Sequence, residues 1–124
     1  MEKTKHAGET QVIFRDDNIL YFIMGGKPDH DMAINIKNIA LDFINKSENK
    51  ISFLIDINKV GQPSSDARKI FRDMQELDKV KKTALFGAHP VAKILASVVI
   101  SISRKGNQRF FDTKEDALKW LNEE

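Results

Sequence analysis

Asp56 and His89 are the residues in this sequence whose types could do chemistry together. Asp56 lies in the apolar run 51–57, and His89 precedes Pro90 in a turn. A histidine oriented by a carboxylate can act as a general acid or base, which would support hydrolysis. No nucleophile completes a triad with them, and a histidine in such a turn commonly forms only local hydrogen bonds.

The remaining motifs do not indicate a metal or a cofactor. His6, His30 and His89 are far apart and lack the spacing of metal ligands. The chain has no cysteine, which excludes disulfides, thiolate metal sites and a cysteine nucleophile. The run 25–27, Gly-Gly-Lys, has neither the Walker nor the Gly-x-Gly-x-x-Gly spacing, so a tight turn explains it.

Composition narrows the class of protein. The 124 residues suffice for one core, and 41% apolar with 31% charged residues is typical of a globular chain. A net charge of +2 is too balanced to predict nucleic-acid binding. The longest apolar stretch, 91–102, is interrupted by polar residues and too short to span a membrane. Residues 1–10 lack an apolar segment, so we expect a flexible tail, no leader or anchor, and a cytoplasmic location.

The chain that follows alternates between strand and helix patterns. Runs 11–15 and 19–24 predict a hairpin, and Asp29 or Asp31 can cap a helix that ends near Lys46. The run 51–57 predicts a central strand, after which Ser64 or Ser65 can cap a second helix. The buried stripe of this helix would be Ala67, Ile70, Phe71, Met74 and Leu77.

Two further strand–helix pairs follow to the end of the chain. Residues 83–86 predict a strand, and Pro90 suits the first position of the third helix. A last strand at 108–111 precedes a helix that Asp112 would cap. The order β-β-α-β-α-β-α-β-α predicts one α/β domain over 11–124. Right-handed crossovers would give a mostly parallel central sheet, with an antiparallel edge strand, covered by helices.

Four stretches carry a resemblance to a known family: the hairpin, Phe53–Ile57, Thr83–Val91 and Arg109–Leu121. The last is the most specific, because it joins a phenylalanine strand, a capping Asp and an Ala-Leu-x-Trp-Leu helix. The chain resembles the SpoIIAA-like branch of the STAS superfamily, named for sulphate transporters and anti-sigma-factor antagonists. That branch is related in fold to lipid-carrying SEC14 domains, and the resemblance implies binding rather than catalysis.

The resemblance also implies a switch. Antagonists of this type carry a phosphorylatable serine at the start of the second helix, within a run of Asp-Ser-x-Gly type. Ser64 and Ser65 lie at that place, although the Asp and the Gly of the motif are absent. The alternative is that these serines only cap the helix.

Two surfaces are candidate sites. Ligands of open α/β sheets bind beyond the carboxyl ends of the strands, which predicts a site at Gly26, Asp56, Asn58, Gly87 and His89. On the third helix a core face of Val91, Ile94, Leu95, Val98 and Ile102 leaves Lys93, Ala96 and Ile100 outward. The apolar stripe of the first helix is formed by Met32, Ile36, Ile39, Ala40 and Phe43, and Ile34 and Leu41 lie off it. Together with Lys93, Ala96 and Ile100, these two residues would form an interface, unless all five are ordinary scattered surface residues.

Three hypotheses follow. The first is a non-enzymatic regulatory module that binds a protein partner or itself as a homodimer, which predicts exposed apolar patches and no deep cavity. The second is a carrier or sensor of a small apolar or anionic ligand, which predicts a closed pocket under the second and third helices. The third is hydrolysis around Asp56 and His89. We favour the first hypothesis because the simpler structural explanations of the candidate residues are sufficient for it.

Overall fold

Six strands form one mixed sheet in the computed structural model, which describes residues 2–101 and 106–123. The elements in chain order are β1 Lys3–Ala7, β2 Thr10–Phe14, β3 Ile19–Gly26, α1 His30–Lys46, β4 Ile51–Val60, α2 Ser65–Gln75, β5 Val80–Phe86, α3 Pro90–Ser101, β6 Gln108–Phe111 and α4 Lys114–Leu121. The strands lie side by side in the order β1 to β6. Antiparallel pairing joins β1, β2 and β3, and parallel pairing joins β3 to β6.

The two faces of the sheet are covered differently. Because successive strand residues point to opposite faces, Phe53 and Leu54 enter separate cores. Phe53 packs in the core beneath α1 and α2, and α3 extends that layer through Ala96. Leu54 packs with Ala117 and Leu121 of α4 on the other face. The face under α1, α2 and α3 is therefore where three helices meet over the sheet.

Side-chain caps fix the starts of three helices. Asp29 Oδ1 accepts from the Met32 amide at 2.9 Å at the start of α1, as one of the two predicted caps. Ser64 Oγ accepts from the Ala67 amide at 3.1 Å and caps α2. The predicted cap of α4 is wrong by one residue, since Thr113 Oγ1 accepts from the Asp116 amide at 3.2 Å. Asp112 instead pairs with the Lys93 ammonium, at 3.2 Å.

The prediction of a flexible tail over residues 1–10 is wrong. Lys3–Ala7 forms β1, which pairs with the whole of β2, and Ala7 is buried in the core. The other four residues of β1 are exposed, so the strand has no apolar alternation to reveal it in the sequence. The antiparallel edge of the sheet is therefore β1, and the first predicted strand lies one position inside it.

Gly25 is needed where β3 passes the turn between β1 and β2. A Cβ at this position would lie 2.7 Å from the backbone oxygen of Glu9. The Thr10 hydroxyl accepts from the Gly25 amide at 3.1 Å and donates to its carbonyl at 3.5 Å. The glycines at the end of β3 thus serve close packing of the chain on itself.

The predicted orientation of α3 is also wrong. Ala96 is 1% exposed and packs with Ile57 and Leu85, and Ile100 is half-buried against the same cluster. Ile94, expected in the core, is 65% exposed. This helix is apolar around most of its circumference, so periodicity does not fix its phase, whereas a small alanine allows close approach to the sheet. The side chains of Val91, Leu95 and Val98, and residue Ile102, lie outside the described residues.

Within the described ranges, each helix falls short of the length and apolar character that a membrane crossing requires.

Candidate functional site

The carboxyl end of β4 is joined to the turn after β5 by hydrogen bonds. Asp56 Oδ1 accepts from the backbone and side-chain nitrogens of Asn58, at 2.9 and 2.8 Å. Asn58 Oδ1 in turn accepts from the Ala88 amide at 3.0 Å. Asp56 pairs in register with Ile23 and Phe86, both of which belong to the core beneath α4. Its carboxylate therefore lies on the α4 face and orders the loop.

The other residues of the predicted loop site are also held by neighbours. The Gly26 carbonyl accepts from the Gly61 amide at 2.8 Å, and the Gly87 amide donates to the Phe111 carbonyl at 3.2 Å. His89 is exposed at the turn before α3. Among the described residues no group of three His, Asp or Glu side chains could hold a metal ion. At this edge of the sheet the hydrogen bonds described above hold the loops in place.

Ser64 and Ser65 occupy different positions at the start of α2. Ser64 is the residue before the helix, its hydroxyl accepts the capping hydrogen bond, and its amide donates to the Pro28 carbonyl at 2.9 Å. Ser65 is the first helical residue and is exposed. The capping role predicted for one of the two belongs to Ser64.

The residues of the predicted interface do not form one exposed surface. Ala96 and Ile100 face the core, so they cannot be its apolar centre. Lys93 is exposed and pairs with Asp112, and Ile34 and Leu41 are half-buried on α1. In the part of the chain that the structure describes, Ile94 is the one large apolar side chain that is exposed.

A cavity of about 70 Å³ lies between the sheet and helices α1, α2 and α3. We call it the chamber, and its lining residues are Phe22, Met24, Pro28, Ile36, Phe53, Ile55, Ile57, Val60, Pro63, Phe71, Met74, Gln75, Leu85 and Ala96. Of these described residues only Gln75 is polar. At about 30 Å³ per molecule in the liquid, this volume corresponds to roughly two waters, but apolar walls offer water few partners.

Gln75 connects the chamber wall to polar residues of β5 and β6 that do not line the chamber. Gln75 is 3% exposed, and its Oε1 accepts a hydrogen bond from Nε2 of Gln108 on β6. Thr83 pairs in register with Gln108 on one side and with Phe53, a chamber residue, on the other. Thr83 itself is completely buried. Among the described residues the chamber wall is therefore apolar apart from Gln75, and Thr83 and Gln108 lie outside its lining.

The chamber was expected only in outline from the sequence. Its position under the second and third helices agrees with where the second hypothesis expects a pocket, but none of its lining residues was identified. The lining residues other than Gln75 have ordinary core types, so none of them carries a signal of its own. Gln75 was the one detectable feature, since it is a polar residue directly after Met74 on the buried stripe of α2.

The comparisons with known proteins agree with this architecture. A family model described as a domain of unknown function (DUF7793) matches residues 13–124. A crystal structure of an uncharacterised protein of the DUF3478 family with a SpoIIAA-like fold, from Shewanella loihica PV-4, aligns with TM-score 0.66 and 20% identity. The alignment covers 98% of this chain and 92% of that one.

The anti-sigma factor antagonist SpoIIAA in its unphosphorylated form aligns with TM-score 0.58 and 11% identity, over 98% of this chain and 97% of that one. No curated protein matches the sequence. The predicted SpoIIAA-like fold is confirmed by these alignments.

Proposed function

The chain belongs to the DUF7793 family, and we propose that it binds a small apolar ligand in the chamber, as a carrier or a sensor. The observation that carries the proposal is a cavity of about 70 Å³ walled by apolar side chains of the sheet and three helices. Binding sites for small molecules are concave, mostly apolar and largely pre-formed.

An unfilled chamber has a cost. Protein interiors are packed as densely as organic crystals, and cavity volume lowers stability by roughly 24 cal/mol per Å³. A ligand that fills the chamber gains contacts with its apolar walls, which favours binding.

Protein interaction is the second candidate function. It is supported by the fold shared with an anti-sigma factor antagonist and by Ile94, which is 65% exposed on α3. Ser65 is exposed at the start of α2, at the place of the predicted switch, and a partner or a second copy could bind nearby. This candidate ranks second because Ala96 and Ile100 lie in the core, leaving the predicted interface without its apolar centre.

Propane is a suitable probe of the proposed function, because a three-carbon alkane matches a small cavity and has no polar group. Methyl NMR spectra recorded under propane should show shifts at chamber residues Ile55, Ile57 and Leu85. Methyls beneath α4, such as those of Ala117 and Leu121, should stay unchanged.

A variant that fills the chamber supplies the control. Ala96→Leu places three additional carbons at a chamber wall and should abolish the shifts, whereas Ile94→Leu, on the exposed side of the same helix, should preserve them. Shifts of equal size on both faces of the sheet, or shifts that persist in Ala96→Leu, would overturn the proposal.

A further inference from the structure

The edge strand β6 is open for pairing with another strand. It pairs with β5 on one side, and no strand of the described residues lies on its other side. An edge strand presents unpaired backbone N–H and C=O groups that can pair with another chain. The opposite edge, β1, exposes Lys3 and Lys5, whose charges discourage such pairing. β6 contains one charged residue, Arg109, so its edge is the less protected of the two.

The hydrogen bonds between β5 and β6 identify the backbone groups that face the open edge. The Thr83 amide donates to the Asn107 carbonyl at 3.0 Å, and the Gly87 amide donates to the Phe111 carbonyl at 3.2 Å. Backbone groups alternate in direction along a strand, so the N–H and C=O groups of Phe110 face away from β5. Phe110 is therefore the residue through which a further strand would hydrogen-bond to β6.

Side chains beside this edge would suit a cation on the added strand. Arg109 pairs in register with Ala84, and Phe111 pairs with Phe86, so both side chains lie on the α4 face. The Arg109 guanidinium lies 5.5 Å from the centre of the Phe111 ring. Asp116 of α4 lines the groove beside this ring and is exposed, and none of the salt bridges among the described residues uses its carboxylate. An aromatic ring and a carboxylate thus lie next to the open edge.

We propose that β6 pairs antiparallel with β6 of a second copy of this chain, which joins the two sheets into one. In a two-fold dimer each contact occurs twice with the roles exchanged. With Phe110 opposite Phe110 of the second copy, these residues exchange both of their outward hydrogen bonds. Each Arg109 then lies opposite Phe111 of the other copy, where its guanidinium can contact the ring and the Asp116 carboxylate. The inference does not depend on a ligand in the chamber.

Charge selects this register over its neighbour. A shift of two residues keeps the same hydrogen-bonding groups at the edge but places Arg109 opposite Arg109 of the second copy. Like charges directly opposite each other destabilise a strand pair. The register centred on Phe110 instead places each cation against a ring and a carboxylate, so the chain is complementary to itself at this edge.

Sedimentation equilibrium of the full chain over a range of concentrations tests the association. We expect a reversible equilibrium between monomer and dimer that stops at the dimer, because the two-fold contact uses the open edge of both chains. A chain that is monomeric at every concentration would overturn the inference, and so would assembly into larger species.

A charge exchange between two variants tests the contact of Arg109 with Asp116. Arg109→Glu and Asp116→Arg should each raise the dissociation constant of the dimer at least about tenfold, because each places like charges together at both symmetric contacts. An equal mixture of the two variants should dimerise again, since opposite charges then meet at both contacts. Lys69→Glu reverses an exposed cation on α2 and should leave the dimer unchanged. A mixture that dimerises no better than the single variants would overturn the inference.

Single cysteines test the register independently, because the chain contains no cysteine of its own. Phe110→Cys should form a disulfide between copies on mild oxidation, since the Cα atoms of a hydrogen-bonded pair lie about 5.5 Å apart. Arg109→Cys should not, because in this register the two Arg109 positions are diagonal neighbours, roughly 7–8 Å apart. Cross-linking of Arg109→Cys without cross-linking of Phe110→Cys would show that the proposed register is wrong.

Discussion

Neighbouring groups shift the pKa of Tyr21, which lies on the face of the sheet opposite the chamber. Its ring packs in the core with Phe86, at 6.4 Å between centroids, and the Lys114 ammonium lies 4.6 Å from the ring centre. Burial raises the pKa of the Tyr21 phenol above its ordinary value of 10.0, the Asp56 carboxylate raises it further, and Arg15 opposes them. Asp56, a candidate acid–base residue from the sequence, thus influences Tyr21 as well as the loop.

The raised pKa of Tyr21 predicts a loss of stability in strong base. The unfolded chain releases the phenol proton near pH 10, before the folded chain does, so the free energy of unfolding falls as pH rises from 10 toward the folded pKa. Below pH 10 the contribution of Tyr21 to the free energy of unfolding is fully present. Because Tyr21 is the only tyrosine, tyrosinate absorbance reports its titration directly.

Asp56→Asn should lower the pKa of Tyr21 but leave it above 10.0, because burial is the larger cause. Asp42→Asn, a substitution of an exposed carboxylate on α1, should leave the titration unchanged. A Tyr21 titration curve that coincides with that of the unfolded chain would contradict the argument.

Elements with a clear signal in the sequence could be predicted, and elements without one could not. The stripes of α1 and α2 and the caps at Asp29 and Ser64 follow from local chemistry, and the structure contains them. The phase of α3 is set by tertiary contacts with Leu85 of β5 and with Ile57 of β4, which is distant in sequence, so local periodicity could not fix it. The chamber lies between such elements and was therefore beyond prediction residue by residue.

The two serines at the start of α2 make a paired prediction. Ser64→Ala removes the acceptor of the Ala67 amide and should lower the free energy of unfolding by about 1 kcal/mol. Ser65→Ala changes an exposed first-turn residue to a good helix former and should be nearly neutral. Urea unfolding of both variants measures the difference, and equal effects would show that Ser64 is not the cap.

At the scale of the whole molecule, the sheet has one edge formed by a short polar strand. β1 exposes Lys3 and Lys5 and covers the backbone of β2, whose Val12 is completely buried. Charged residues on an edge strand discourage pairing with other chains. The strand therefore protects the apolar β2 as well as completing the sheet.

Removal of residues 2–7 tests this protective role. The hydrogen bonds lost, at about 0.5–1.5 kcal/mol each, are largely offset by the entropy of about 1–2 kcal/mol per residue that ordering β1 costs. We therefore expect a small change in the free energy of unfolding but clear self-association, because the edge of β2 becomes available to other chains.

Sedimentation velocity over a range of protein concentrations measures the association. A Lys3→Ser, Lys5→Ser variant keeps the strand and should associate less than the truncated chain. A truncated chain that stays monomeric wherever the full chain does would show that β1 is dispensable as an edge.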